Sequence, residues 1–108
     1  CIEALQAGLP VVTLPGSRVV ARVAASLLTA HGVPETIAQS RDEYISIACR
    51  LATNREITSE LRQRVSDRRN SRLFCSKRRV REIESAYRIM WDRYNAGLAP
   101  EDFDVPKM

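Results

Sequence analysis

The stretch that decides the fold is Gly8-Leu9-Pro10-Val11-Val12-Thr13-Leu14-Pro15-Gly16, which follows Ile2-Glu3-Ala4-Leu5-Gln6-Ala7. Its apolar run, 11–14, is bounded by Pro and Gly on both sides and is too short for a helix. Because the run lacks polar–apolar alternation, we predict a strand buried on both faces, as in parallel sheets. A helix-forming segment precedes the strand and an apolar helical rhythm follows it, so the predicted fold class is α/β, mostly helical.

The composition is that of one small globular domain. The chain has 108 residues, of which 44% are hydrophobic and 28% are charged. No apolar stretch approaches the roughly 20 residues that a membrane-spanning helix needs, and no leader pattern precedes a cleavage site. Cys1, Cys49 and Cys75 are widely spaced, so we expect free thiols in a reducing compartment and neither a disulfide framework nor a zinc site.

The sequence opens at Cys1, inside a helical pattern and without an initiating Met. Only Thr36-Ile37-Ala38 offers a second strand, and its signal is weak. Because a parallel sheet needs neighbouring strands, we expect the chain to be a piece of a longer protein whose other strands lie upstream.

Further helices are predicted where apolar residues recur at three-to-four spacing. They are helix 18–30 after a Ser17 cap, a helix opened by the capping box Ser40 and Glu43, a helix on Ile57, Leu61 and Val65, and a closing helix from a Ser76 cap to Gly97. The closing helix is expected to pack a stripe formed by Val80, Ile83, Tyr87, Met90, Trp91 and Tyr94. Residues 98–108 are predicted to be an extended surface tail.

Candidate site residues are few. Glu3 lies in the first turn of the opening helix, where the helix dipole alone explains an acid. Arg18 and Arg22 share a helix face, an arrangement that suits either a phosphate or water. His31 ends a helix and is expected to be an end residue, not a catalytic base. The residues alone assemble no nucleophile–base set and no glycine-rich phosphate loop.

Positive charge is concentrated in one region. The net charge is +4, and nine Lys and Arg residues between Arg62 and Arg81 meet only Asp67. We predict a solvated basic face, since no nucleic-acid motif is present and Tyr87 and Trp91 are expected to be packed. The alternative is a non-enzymatic basic helical module that binds nucleic acid or an acidic partner.

Four fragments, in order and in register, resemble one known family. They are Glu3-Ala-Leu-Gln-Ala-Gly-Leu-Pro-Val-Val-Thr-Leu-Pro-Gly16, Arg22-Val-Ala-Ala-Ser-Leu-Leu28, Asp42-Glu-Tyr44 and Tyr87-Arg-Ile-Met-Trp91. From Glu3 to about Ala99 the chain resembles the C-terminal end of the catalytic region of the O-GlcNAc transferase and SPINDLY family, glycosyltransferase family 41.

The resemblance implies a GT-B architecture of two Rossmann-like halves, with superhelical repeats upstream that present the acceptor protein. On this interpretation residues 1–75 belong to the nucleotide-sugar-binding half, 76–97 form a long closing amphipathic helix and 98–108 a tail. The family's catalytic His, its phosphate-binding Lys and a Thr-Thr pair would all fall before Cys1. No residue of this chain is therefore expected to be catalytic, and the chain alone is expected to be inactive.

The same resemblance implies roles for two residues of this chain. Glu3 matches an acid that hydrogen-bonds the ribose of the donor, although the animal enzymes have Asp there, one methylene shorter. Arg22 matches an Arg with a phosphate-binding or structural role, and Ala21 stands where the animal enzymes have Ser.

The implied activity of the parent protein is transfer of GlcNAc from UDP-GlcNAc to Ser or Thr of an acceptor protein, with inversion. No cofactor and no obligatory metal are expected, and the expected location is the cytoplasm, or nucleus and cytoplasm in a eukaryote. The expected partners are the nucleotide sugar, the acceptor protein and upstream domains of the same chain, without nucleic acid or membrane. A GDP-fucose donor, as in the plant SPINDLY branch, stays open, because ribose recognition by Glu3 does not distinguish the two donors.

Overall fold

The computed structural model describes residues 1–69 and 71–107, and their regular structure is helical. The helices are α1 (Ile2–Gln6), α2 (Val19–His31), a 3-10 helix (Pro34–Thr36), α3 (Arg41–Thr53), α4 (Arg55–Ser66) and α5 (Ser76–Asn95). None of these helices has the length and apolar character needed to cross a membrane.

The chain divides into two compact units, Cys1–Phe74 and Cys75–Met108. The first unit has one buried cluster, to which α1, α2, the turn after α2 and α4 contribute Leu5, Leu28, Val33, Leu61 and Val65. Helix α4 lies against both α1 and α3, so it is the element on which the first unit is assembled.

The predicted strand at 11–14 does not form, and the prediction of a parallel sheet is wrong. A single parallel bridge joins Thr13 to Ile37. The Thr13 N–H donates to the Thr36 carbonyl at 3.1 Å, and the Ala38 N–H donates to the Thr13 carbonyl at 2.8 Å. Just before the bridge the chain turns through Pro34–Thr36, so the predicted second strand at 36–38 is also wrong. A strand needs a ladder of such bonds along its length, and one bridge does not supply it.

The helix ends test the predicted caps. The capping box at Ser40 is confirmed, since the Glu43 N–H donates to Ser40 Oγ at 3.1 Å while the Glu43 carboxylate accepts from the Gln39 N–H at 2.7 Å. The caps predicted at Ser17 and Ser76 are wrong. Helix α2 begins one residue later than a cap at Ser17 would require, and Ser76 is itself the first residue of α5. At neither helix does a side chain form a cap hydrogen bond.

The second unit consists of α5 and the residues after it. Gly97, with φ of 71°, follows the end of α5 as predicted. The expectation that α5 packs its apolar stripe is wrong, because α5 has no buried residue and Tyr87 and Trp91 are 65% and 62% exposed. Of the predicted tail, residues 98–107 contain neither helix nor strand, and its last residue, 108, lies outside the described residues.

Candidate functional site

Glu3 lies in the first turn of α1, with its side chain 86% exposed to solvent. In the described structure no side chain forms an ion pair with its carboxylate. The carboxylate is therefore available to an external hydrogen-bond donor.

The turn that carries Glu3 is fixed to the rest of the first unit. Leu5, two residues on, is fully buried in the core. The chain leaves α1 through Gly8, whose φ of +77° disfavours any side chain, and a Cβ there would lie 2.5 Å from Ser66 Oγ of α4. The Arg68 guanidinium donates to the Gln6 carbonyl. A short helix held at its far end in this way gives Glu3 a defined position.

Arg18 and Arg22 stand at the start of α2. Arg18 is the N-cap residue in an extended conformation, and Arg22 lies one turn into the helix. Both are exposed, and in the described structure no ion pair or hydrogen bond joins either of them to Glu3. Within the described residues, the structure therefore presents two exposed cations around the start of α2 and does not pair either of them with the Glu3 carboxylate.

A cavity lies elsewhere, between the end of α1 and one face of α4. This basic groove has a volume of about 1240 Å³. It is lined by Gln6, Ala7, Gly8, Leu51, Arg55, Thr58, Ser59, Arg62, Gln63, Ser66, Asp67, Arg68 and Arg69. Neither Glu3 nor Arg22 belongs to the lining, so the groove is separate from the residues singled out by the resemblance.

Sequence reasoning recognised part of the groove and missed Arg55. The predicted basic region begins at Arg62, because the density of basic residues along the sequence rises there. The spacing of the two residues could have identified Arg55. Arg55 and Arg62 are seven residues apart, so they lie on the same face of α4.

The acid in the groove is already paired. Asp67 accepts from Nε and Nη2 of Arg69 at 3.0 Å each. These side-chain hydrogen bonds, and then the bond from the Arg69 backbone N–H, hold the pKa of the Asp67 carboxyl below its usual value. The same pairing raises the pKa of the Arg69 guanidinium. Both groups stay charged near neutral pH and satisfy each other.

His31 is the last residue of α2 and is buried. Its Nε2 lies 2.7 Å from the Val65 carbonyl and its Nδ1 lies 2.7 Å from Ser71 Oγ. Since a carbonyl oxygen only accepts, we assign the ring proton to Nε2, which leaves Nδ1 to accept from the Ser71 hydroxyl. His31 ends its helix as predicted, and both of its ring nitrogens are hydrogen-bonded within the first unit.

Residues suited to a metal ion do not converge. Across 1–69 and 71–107, no group of three or more His, Cys, Asp or Glu side chains could hold one. Cys1, Cys49 and Cys75 form no disulfide within the described residues.

Comparison with known proteins settles the family. The family model of glycosyl transferase family 41 matches residues 1–83. The chain belongs to glycosyl transferase family 41. The chain is 40% identical over 98 residues, 90% of its length, to the UDP-N-acetylglucosamine–peptide N-acetylglucosaminyltransferase of Caenorhabditis elegans. It is 38% identical over 99 residues to the probable enzyme of that name called SPINDLY in Hordeum vulgare. It is 36% identical to the probable enzyme called SEC in Arabidopsis thaliana.

This family 41 chain spans only about a tenth of the length of the curated relatives it matches, between 8% and 11% of those three. The similarity to each relative covers nine-tenths or more of the chain, and the residues matched by the family model include α1 with Glu3. The resemblance inferred from the sequence fragments is therefore confirmed at the level of the family.

Proposed function

We propose that this chain is part of a larger cytoplasmic protein O-glycosyltransferase that transfers GlcNAc from UDP-GlcNAc to Ser or Thr hydroxyls of proteins. The observation that carries the proposal is the family match across residues 1–83, together with relatives named as peptide N-acetylglucosaminyltransferases. The chain's share of the work is to hold the donor, and the groups that carry out the chemistry are supplied by the rest of the parent protein.

Glu3 is the residue we assign to the donor ribose. Its two carboxylate oxygens can each accept from one of two neighbouring hydroxyls. Two features of the chain support the assignment: the carboxylate is exposed, and the turn that bears it is anchored through Leu5 and Gly8. Arg22 is assigned to a phosphate or to a structural role, since its guanidinium is exposed at the start of α2.

The contribution of such contacts to catalysis is positioning. Binding the nucleotide in one orientation places the sugar carbon against the acceptor hydroxyl before reaction, and cationic or N–H donors near the leaving diphosphate stabilise the charge that develops there. The acceptor protein is bound by other parts of the parent protein.

The donor is tested by comparing UDP-GlcNAc with GDP-fucose on the full-length parent enzyme and one acceptor peptide. Transfer from UDP-GlcNAc alone supports the proposal. Transfer from GDP-fucose alone favours the second candidate, a SPINDLY-like O-fucosyltransferase, which stays in view because the SPINDLY relative is nearly as similar as the nematode enzyme. No transfer from either nucleotide sugar contradicts both.

The role of Glu3 is tested by Glu3→Ala in the full-length enzyme. Loss of a charge-assisted hydrogen bond costs about 1.5–3 kcal/mol, so we expect the KM for the donor to rise roughly tenfold to a hundredfold with a smaller change in kcat. The matched control is Glu84→Ala, which removes an exposed acid of α5. An unchanged donor KM in Glu3→Ala, or an equal rise in the control, contradicts the assignment.

A further inference from the structure

The basic groove has features that donor binding by Glu3 does not use. Its walls are the end of α1 and the face of α4 that carries Arg55, Arg62 and Ser66. All of its lining residues belong to the first unit. Glu3 is absent from the lining, so a ligand in the groove would not compete with the proposed ribose contact.

The charges of the groove fall into two classes. Arg68 and Arg69 are engaged, since Arg68 donates to the Gln6 carbonyl and lies over the Phe74 ring, 5.1 Å from its centroid, while Arg69 is paired with Asp67. Arg55 and Arg62 have no hydrogen bond or ion pair within the described residues. Because Asp67 is neutralised by Arg69, these two cations face the groove without a local counter-charge.

The spacing of the two free arginines restricts the ligand. Residues seven apart on an α-helix are separated by about 10.5 Å along its axis. A chain in the polyproline II conformation repeats every three residues with a rise of about 3.1 Å, so residues i and i+3 project from the same side about 9.3 Å apart. Acidic residues at that interval match Arg55 and Arg62 to within the reach of an arginine side chain.

The uncharged lining suits a peptide. Ser59 and Ser66 supply hydroxyls, and Gln6 and Gln63 supply amides, which can both donate to and accept from a peptide backbone. The Thr58 hydroxyl already donates to the Leu51 carbonyl, so it offers a ligand only an acceptor oxygen. An extended segment needs such partners because its own backbone groups are unpaired. No aromatic residue lines the groove, so the stacking platforms typical of single-stranded nucleic acid sites are missing from it.

From these observations we infer that the basic groove is a docking site for an extended acidic protein segment that carries carboxylates three residues apart. Arg55 and Arg62 each bind one carboxylate, and the hydroxyls and amides between them bind the peptide backbone. The inference does not depend on the nature of the sugar donor, and its failure would leave the proposed glycosyl transfer untouched.

The test is fluorescence anisotropy of a labelled proline-rich peptide, with glutamates at i and i+3, titrated with the full-length protein. Wild type is expected to bind this peptide more tightly than a peptide of identical composition with adjacent glutamates. The double variant Arg55→Gln/Arg62→Gln is expected to raise the Kd about tenfold or more, because two charge-assisted contacts are lost.

The matched control is Arg41→Gln/Arg88→Gln, which removes the same charge from exposed arginines outside the groove. Its Kd is expected to stay within about twofold of wild type, apart from long-range screening effects. Three results would each overturn the inference: no binding by wild type, equal losses in the two double variants, or tighter binding of a single-stranded oligonucleotide of equal charge. Circular dichroism of each variant establishes that the fold is retained.

Discussion

His31 connects two parts of the first unit that are far apart in sequence. Its ring bonds to the Val65 carbonyl and to Ser71 Oγ, 34 and 40 residues away. The edge of the ring also meets Phe74, with centroids 5.3 Å apart and planes at 84°. The sequence predicted that His31 ends a helix, because Gly32 and Pro34 follow it. It did not predict the partners, because no local pattern specifies which distant carbonyl and hydroxyl will face a buried ring.

We expect His31→Leu to lower the free energy of unfolding by about 2–3 kcal/mol. The substitution fills the site with an apolar side chain and leaves a buried carbonyl and a buried hydroxyl without hydrogen-bond partners. Ser71→Ala removes only one of the two bonds and is expected to cost about 1 kcal/mol. Urea unfolding of the two variants measures the difference, and a smaller loss in His31→Leu than in Ser71→Ala would contradict this account of the ring.

The pairing of Asp67 with Arg69 predicts a pH dependence. Since the pKa of Asp67 is lowered from its ordinary value of 3.8 in the folded chain, the pair contributes stability above that value and loses it as the pH falls through the lower folded pKa. We therefore expect Asp67→Asn to be less stable than wild type at neutral pH and equally stable well below pH 3.8. The effect should be small because the pair is exposed to solvent. Thermal unfolding at both pH values measures it, and a difference that persists in acid would exclude the pair as its cause.

At the scale of elements, helices were predictable and the strand was not. A helix closes its hydrogen bonds within its own residues, so apolar spacing and the capping box at Ser40 suffice to place α3. A strand at 11–14 depends on partners that its own sequence does not contain. In the described structure only Thr13 of that run is paired, through the bridge to Ile37. The prediction that this run is buried on both faces is also wrong, since Val11, Val12 and Thr13 are only half-buried and Leu14 is exposed.

The caps of α4 and α5 provide a contrast between two polar residues. Asn54 Oδ1 accepts from the N–H groups of Glu56 and Ile57 at 3.1 and 3.2 Å. We expect Asn54→Ala to cost about 1 kcal/mol of stability. Ser76 is the first residue of α5 and makes no cap bond there, so Ser76→Ala should be nearly neutral. Chemical denaturation of both variants checks the prediction, and a larger effect at Ser76 would show that the cap of α5 lies one residue later.

At the scale of the whole molecule, the sequence predicted the family and did not predict the surroundings of the site. The fragments from Glu3 to Trp91 were sufficient to identify the family, because they follow one another in one register over most of the chain. The apolar stripe of α5 showed where the helix has an apolar face, but a pattern of this kind does not specify what covers that face. In the structure the stripe is exposed, and Glu3 and Arg22 share no described contact.

Trp91, the only tryptophan of the chain, reports on this exposure. It is 62% exposed and stacks on Tyr94 with ring centroids 5.9 Å apart. We expect the isolated chain to show red-shifted tryptophan emission that acrylamide quenches nearly as efficiently as it quenches free N-acetyltryptophanamide. Blue-shifted emission with weak quenching would mean that the stripe of α5 is covered in solution.

The contacts of His31 also have a topological meaning. His31 bonds to Ser71, and next to this bond the Arg72 N–H donates to the Ala30 carbonyl at 3.2 Å. These two hydrogen bonds join the two ends of one long chain segment that contains the 3-10 helix, α3 and α4. Closing such a segment restricts its freedom only modestly, by an amount that grows with the logarithm of its length. Leu28 and Val33 near one end also pack in the buried cluster with Val65 near the other, so we expect these hydrogen bonds and the core packing to open together. Amide hydrogens of α3 and α4 should therefore exchange as one cooperative group. Proteolytic cleavage within α3 or α4 should require that the hydrogen bonds of His31 first break.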